Sequence, residues 1–126
     1  MNLAIACVLV AGLMPIVCAG IAKAGKKSYD NHNPREWLAQ QTGYRARANA
    51  AQANCFEAFP FFAAGVLFAM HSQVDAARID LYASVFVIAR VAYIVCYLKD
   101  MDKLRSLAWL FGILSVIGLF SASLGG

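Results

Sequence analysis

The sequence predicts an all-α protein, an integral membrane four-helix bundle with up-down topology. Three observations predict it. First, 61% of the 126 residues are hydrophobic and only 14% are charged, whereas a soluble domain is about 25% charged. Second, four apolar stretches, about 3–22, 48–70, 81–98 and 104–124, each approach the ~20 residues that a membrane-spanning helix needs. Third, the later connections are short, which makes consecutive helices antiparallel neighbours. Strands of a membrane barrel would alternate apolar and polar residues over about 10 positions, and these runs do not. Little chain is left over, so residues 1–126 read as one membrane domain.

The first span carries no Lys or Arg ahead of its apolar core, and the charge follows it. That order is the reverse of a secretory signal peptide, so the stretch reads as a retained helix that Pro15 kinks. Residues 23–47 then hold six of the eleven basic residues: Lys23, Lys26, Lys27, Arg35, Arg45 and Arg47. The next connection sets Arg78 against Asp75 and Asp80, and the third holds Lys99 and Lys103. Cytoplasmic loops carry the excess of Lys and Arg. The first and third connections are therefore expected in the cytoplasm, and both termini outside it. Lipid headgroups account for the basic loop without nucleic acid.

Within that loop, Asn33-Pro34-Arg35-Glu36 predicts a helix start: a capping Asn, Pro at the first helical position, and an acid three residues on. Gly43 is expected to stop the short helix. Residues 34–41 should lie at the headgroups, with Trp37 as an interfacial anchor. His32 and His71 fall in connections on opposite sides of the membrane, which argues against a shared metal site. Cys7, Cys18, Cys55 and Cys96 all lie in apolar spans without a CxxC pattern. They read as small apolar helix residues rather than disulfide or zinc ligands; Cys55 borders the polar cluster.

The functional signal is polarity at membrane depth. An ionisable side chain there costs at least ~2.5–3.5 kcal/mol, so it usually faces a partner, a cavity or a ligand. In the second span Arg47, Asn54 and Glu57 recur at spacings of 7 and 3, which return to one helical face. Gln52 points elsewhere, toward a different helix or subunit. The Ala residues at 48, 50, 51 and 53 allow close helix approach, and Pro60 frees a carbonyl on the Phe56 turn. In the third span Arg90, Tyr93 and Tyr97 form one stripe. A guanidinium stays charged, and Glu57 is the acid within the apolar stretches. Counting from the cytoplasmic ends, Glu57 is about 15 Å deep and Arg90 about 13 Å deep. These depths predict a buried Glu57–Arg90 pair. Asn54, Tyr93 and Tyr97 would line a polar pocket beside it, with Arg47 and Arg105 framing the mouth. Such a pocket suits a small polar anion from the cytoplasm next to an apolar second substrate from the lipid.

Two motifs carry a family resemblance. Asn54-Cys55-Phe56-Glu57-Ala58-Phe59-Pro60 resembles the Asn-x-x-Glu signature of the MAPEG family, the membrane-associated proteins of eicosanoid and glutathione metabolism. The run from Arg90 through Tyr93 and Tyr97 to Leu98 is similar to that family's third helix. Arg105-Ser106 resembles the Arg-Ser that opens the fourth helix in the prostaglandin E synthase branch; the microsomal glutathione transferases are another branch. The resemblance spans nearly the whole chain. It implies a homotrimer, with glutathione as co-substrate bound between adjacent subunits near the cytoplasmic side. It also implies a slim, bacterial-type protein of the inner membrane. Gln52, Asn54, Glu57, Arg90, Tyr93 and Tyr97 then match glutathione-contacting positions, with Arg47 and Ser106 beside them. Arg105 matches the arginine credited with holding the thiolate. An ordinary thiol titrates near ~8.5, so a few per cent is ionised at neutral pH. A hundredfold gain in the ionised form corresponds to roughly 2.7 kcal/mol, within reach of one well-placed guanidinium.

The sequence also departs from the family. Several members carry Arg at the positions of Ala50 or Ala53, and some carry Tyr at that of Ala58. Three functions follow. The first is a glutathione-dependent transferase or peroxidase acting on hydrophobic electrophiles. The second is a non-catalytic scaffold or binding protein with the same fold, motivated by the missing arginines. The third is a small multidrug-type exporter, motivated by a membrane Glu; those exporters place it in the first helix, not the second.

Overall fold

The computed structural model describes residues 2–126, and among them it contains helices and no strand. Helix α1 (Asn2–Lys23), a short α2 (Pro34–Ala39), α3 (Gly43–His71), α4 (Ala76–Leu98) and α5 (Asp102–Ser123) follow in chain order. All but α2 are long and apolar enough to cross a membrane, which fits a multi-pass membrane protein.

The bundle is built on small residues. Helix α1 packs chiefly against α3, and α4 against α5; α3 also meets α4 and α5. Ala4, Cys7 and Ala11 of α1 pack with Phe62, Val66 and Ala69 of α3 and with Ile79, Ala83 and Phe86 of α4. At their centre the Phe62 and Phe86 rings stack at 3.9 Å. A second cluster gathers Met14 and Cys18 with Ala51 and Cys55. A third joins Ala22 and Ala48 to Trp37 and Leu38 of α2. Close approach is tightest at Gly118 of α5, where a Cβ would stand 2.5 Å from Cε1 of Tyr82. That is far inside the ~3.5–4.0 Å optimum for carbon contacts, so any side chain at 118 would force the Tyr82 ring to move.

Polar side chains close the helix ends. Arg45 donates to the Ala22 carbonyl at 3.0 Å, at the end of α1. Arg47 donates twice to the Leu98 carbonyl of α4, at 3.3 and 3.1 Å. Both cations sit where helix dipoles are negative. At the other end Asp80 accepts the Ala4 N–H at 3.1 Å, within the first turn of α1.

Several expected boundaries move. Gly43 does not stop the short helix, which ends at Ala39; at φ +65° it opens α3 instead. The left-handed conformation is one that glycine adopts freely, so it serves a sharp entry as well as an exit. Helix α3 therefore begins five residues before the expected 48 and carries Arg45 and Arg47 within it. Helix α4 starts at Ala76 rather than 81, which brings Arg78 and Asp80 into the helix. Apolarity marks the hydrocarbon segment, whereas the hydrogen-bonded helix runs on into the headgroup layer. Asn33 precedes α2 as expected but makes no side-chain cap; its amide donates to Asp30 at 3.5 Å.

Candidate functional site

A cavity of about 210 Å³ opens between α3, α4 and α5. Asn54, Glu57, Ala58 and Phe61 line it from α3, and Phe86 and Arg90 from α4. Trp109, Gly112, Ile113 and Val116 line it from α5. Asn54 and Glu57, three residues apart, share this wall because three residues nearly complete a helical turn.

Arg90 is the centre of the arrangement. It is 2% exposed, and its guanidinium lies 4.2 Å from the Tyr93 ring centroid. Tyr93 meets Tyr97 edge-on at 5.6 Å, and the Arg105 guanidinium lies 4.3 Å from the Tyr97 centroid. Two cations and two rings thus form a continuous ladder from the cavity wall to the first turn of α5. Each cation–ring contact contributes about 0.5–1 kcal/mol when exposed and about 2 when desolvated. The residues sit three and four apart on α4, which stacks the two rings along one face. Arg105 is half-buried near the N-terminus of α5, where free backbone N–H groups already favour an anion.

The expected Glu57–Arg90 ion pair does not form. Glu57 is exposed on α3, and although both residues line the cavity, no carboxylate lies within ion-pair range of Arg90 among the described residues. Instead Arg90 donates to the Cys55 sulfur at 3.3 Å. Rotation about the helix explains the difference. Ala48, Ala51, Cys55 and Phe62 form the buried stripe of α3, and Glu57 is about 200° round from Cys55. Matching depth was necessary for the pair but not sufficient.

The remaining candidates separate into groups. Gln52 does point away from Asn54. With Arg35, Leu38, Asn49, Ala53 and Phe56 it lines a second hollow of about 280 Å³. Arg47 does not line the cavity with Asn54 and Glu57; it is engaged at the end of α4. Ser106 is exposed beside Arg105. Asn54 Oδ1 and Gln52 Oε1 are both buried without a hydrogen-bond partner. A buried acceptor left unpaired costs about 1–3 kcal/mol, so each calls for a donor from a ligand, a water or another chain. Three contributors escaped the sequence reading: Cys55 as the acceptor for Arg90, Trp109 in the cavity wall, and Arg35 in the second hollow. The Ala48-Ala51-Cys55 spacing of 3 and 4 was the available sign that Cys55 faces inward.

A model of the MAPEG family matches residues 3–125. The chain is a member of the MAPEG family: a four-span helical membrane protein with a buried arginine at a largely apolar cavity that Asn54 and Glu57 also line. No curated protein matches it.

Proposed function

We propose that this protein is a glutathione-dependent transferase or peroxidase for hydrophobic electrophiles, working as a homotrimer in a bacterial inner membrane. The observation that carries the reading is the Arg90–Tyr93–Tyr97–Arg105 ladder, which starts at a cavity wall that also holds an unpaired acceptor, Asn54 Oδ1. Glutathione offers the complementary groups. Its amide N–H suits Asn54, its ammonium suits Glu57, and a carboxylate suits Arg90. Its thiolate suits Arg105, next to the N-terminus of α5. Held in that form, the sulfur attacks the electrophilic carbon and the leaving group departs with its electron pair. With a hydroperoxide the sulfur takes the terminal oxygen instead and the alcohol leaves; the resulting glutathione sulfenic acid condenses with a second glutathione to give the disulfide and water.

Two features support a neighbouring subunit at the site. A ligand pocket usually measures ~300–1,000 Å³, and the cavity in one chain is about 210 Å³. Glu57 is exposed on a helix that spans the membrane, where a carboxylate facing lipid is strongly disfavoured. A second copy over this face of α3 would enlarge the pocket and cover the acid. The basic residues of 23–47 support a cytoplasmic mouth, with both termini outside.

The test uses detergent-purified protein, glutathione and a chromogenic chlorodinitrobenzene. The reading expects conjugation above the uncatalysed control and glutathione binding by calorimetry. A rate equal to the control together with no binding heat removes it. The scaffold reading has one observation in its favour: uncharged Ala50 and Ala53 stand where relatives carry Arg. It expects Arg105→Ala to leave any cellular phenotype intact.

A further inference from the structure

The membrane-buried face of α3 carries chemistry that the glutathione reading does not use. Cys55 (3% exposed) and Cys18 of α1 (0% exposed) belong to one packed cluster. Both are free. Arg90 donates to the Cys55 sulfur from the opposite side. Structural buried cysteines are inert, whereas a cation beside the sulfur is one feature of reactive ones. Here a guanidinium contacts one thiol, and a second thiol packs in the same cluster. This is the arrangement of an attacking and a resolving cysteine.

A groove of about 410 Å³ runs between α1 and α4, lined wholly by apolar side chains that include Met14, Val91 and Ile94. Met14 belongs to the Cys18–Cys55 cluster and Ile94 packs against it, so the groove borders that cluster. Met is unbranched with three rotatable bonds and shifts readily in an irregular gap.

We propose that Cys18 and Cys55 form a redox-active dithiol that reduces an apolar hydroperoxide entering from the bilayer through the α1–α4 groove. The Cys55 sulfur attacks the terminal peroxide oxygen and the O–O bond breaks. The alkoxide leaves as the alcohol, taking the thiol proton, and Cys55 becomes a sulfenic acid. The Cys18 sulfur then attacks the Cys55 sulfur. The S–O bond breaks, and hydroxide leaves as water with the Cys18 proton. In sum, one hydroperoxide and two thiols give one alcohol, one water and one disulfide. Two equivalents of a small thiol regenerate the pair by exchange. The first half-reaction uses no glutathione, so it stands or falls separately from the proposed transferase activity.

The test is a single-turnover oxidation of the reduced full-length protein in lipid nanodiscs, with cumene hydroperoxide and no added thiol. Expected are about one cumyl alcohol per chain, an intact mass lower by two hydrogens, and a Cys18–Cys55 cross-linked peptide. Cys7 and Cys96 should remain open to alkylation after denaturation. Cys18→Ala should keep the alcohol burst and leave Cys55 as a dimedone adduct, which also guards against misreading a poorly folded variant. Cys55→Ala should lose the burst, and Cys96→Ala should retain it and the cross-link. The proposal is overturned if Cys18 and Cys55 of the wild-type protein both stay alkylatable after peroxide treatment, or if the burst survives Cys55→Ala.

Discussion

Replacing Arg105 tests the chemistry at its most specific point. The Arg105 guanidinium lies 4.3 Å from the Tyr97 ring centroid, and Tyr97 is braced edge-on by Tyr93 at 5.6 Å. In the proposed reaction Arg105 donates a charge-assisted hydrogen bond to the glutathione sulfur. Hydrogen bonds to charged groups contribute about 1.5–3 kcal/mol, which is roughly 10–150-fold in rate. Arg105→Ala should therefore lower kcat/KM by that factor. Arg105→Lys keeps the charge but loses the flat guanidinium that stacks on the ring, so its activity should fall between the two. Tyr97→Leu leaves Arg105 in place chemically but removes its platform. At about 0.5–2 kcal/mol for a cation–ring contact, it should cost roughly 2–30-fold. The assay is glutathione conjugation of the chromogenic electrophile by detergent-solubilised protein, with thermal unfolding of each variant run in parallel. An Arg105→Ala enzyme within twofold of wild type would refute the reasoning. So would a Tyr97→Leu loss larger than the loss in Arg105→Ala.

Three further substitutions separate binding from stability. Arg90→Met should leave the unfolding free energy within about 1–2 kcal/mol, because an apolar replacement of similar volume for a buried ion is often neutral or stabilising. It should abolish glutathione binding in calorimetry; retained binding contradicts the assignment. Glu57→Gln should shift unfolding by less than about 1 kcal/mol, as for a substitution that breaks no ion pair, while weakening glutathione binding. A loss of several kcal/mol in a thermal scan would mean that a cation does meet Glu57 in the assembled protein. Arg47→Ala removes two charge-assisted hydrogen bonds to the Leu98 carbonyl. It should destabilise the bundle by about 1.5–3 kcal/mol, with hydrogen exchange accelerated at the end of α4. An unchanged exchange pattern there would count against the capping role.

The four spans and the polar stripes were legible because they depend on composition and on a single helix's period. Asn54 with Glu57, and Arg90 with Tyr93 and Tyr97, fall together on any helix of that register. What one helix cannot specify is its rotation toward its neighbours. The partner of Arg90 was misassigned for that reason: Glu57 had the right charge and depth, but the small-residue stripe through Ala48, Ala51 and Cys55 turns Cys55 toward α4. The same limit hid the second hollow, where Gln52 of α3 shares a wall with Arg35 of α2. Gly43 misled in another way. A left-handed glycine marks an abrupt change of direction and does not say whether the helix lies before it or after it. The helix ends ran past the apolar stretches because Arg45, Arg47 and Asp80 serve as end caps, a role that hydropathy does not register.

The account rests on an ionised sulfur being held where the guanidinium of α5's first turn meets a ring of α4. Ultraviolet difference spectroscopy at neutral pH reads that state directly, because a thiolate absorbs where a thiol does not. Mixing glutathione with the wild-type protein should produce the thiolate band in proportion to occupied sites, and Arg105→Ala should bind glutathione without producing it. Saturating glutathione that leaves the wild-type spectrum unchanged would contradict the account.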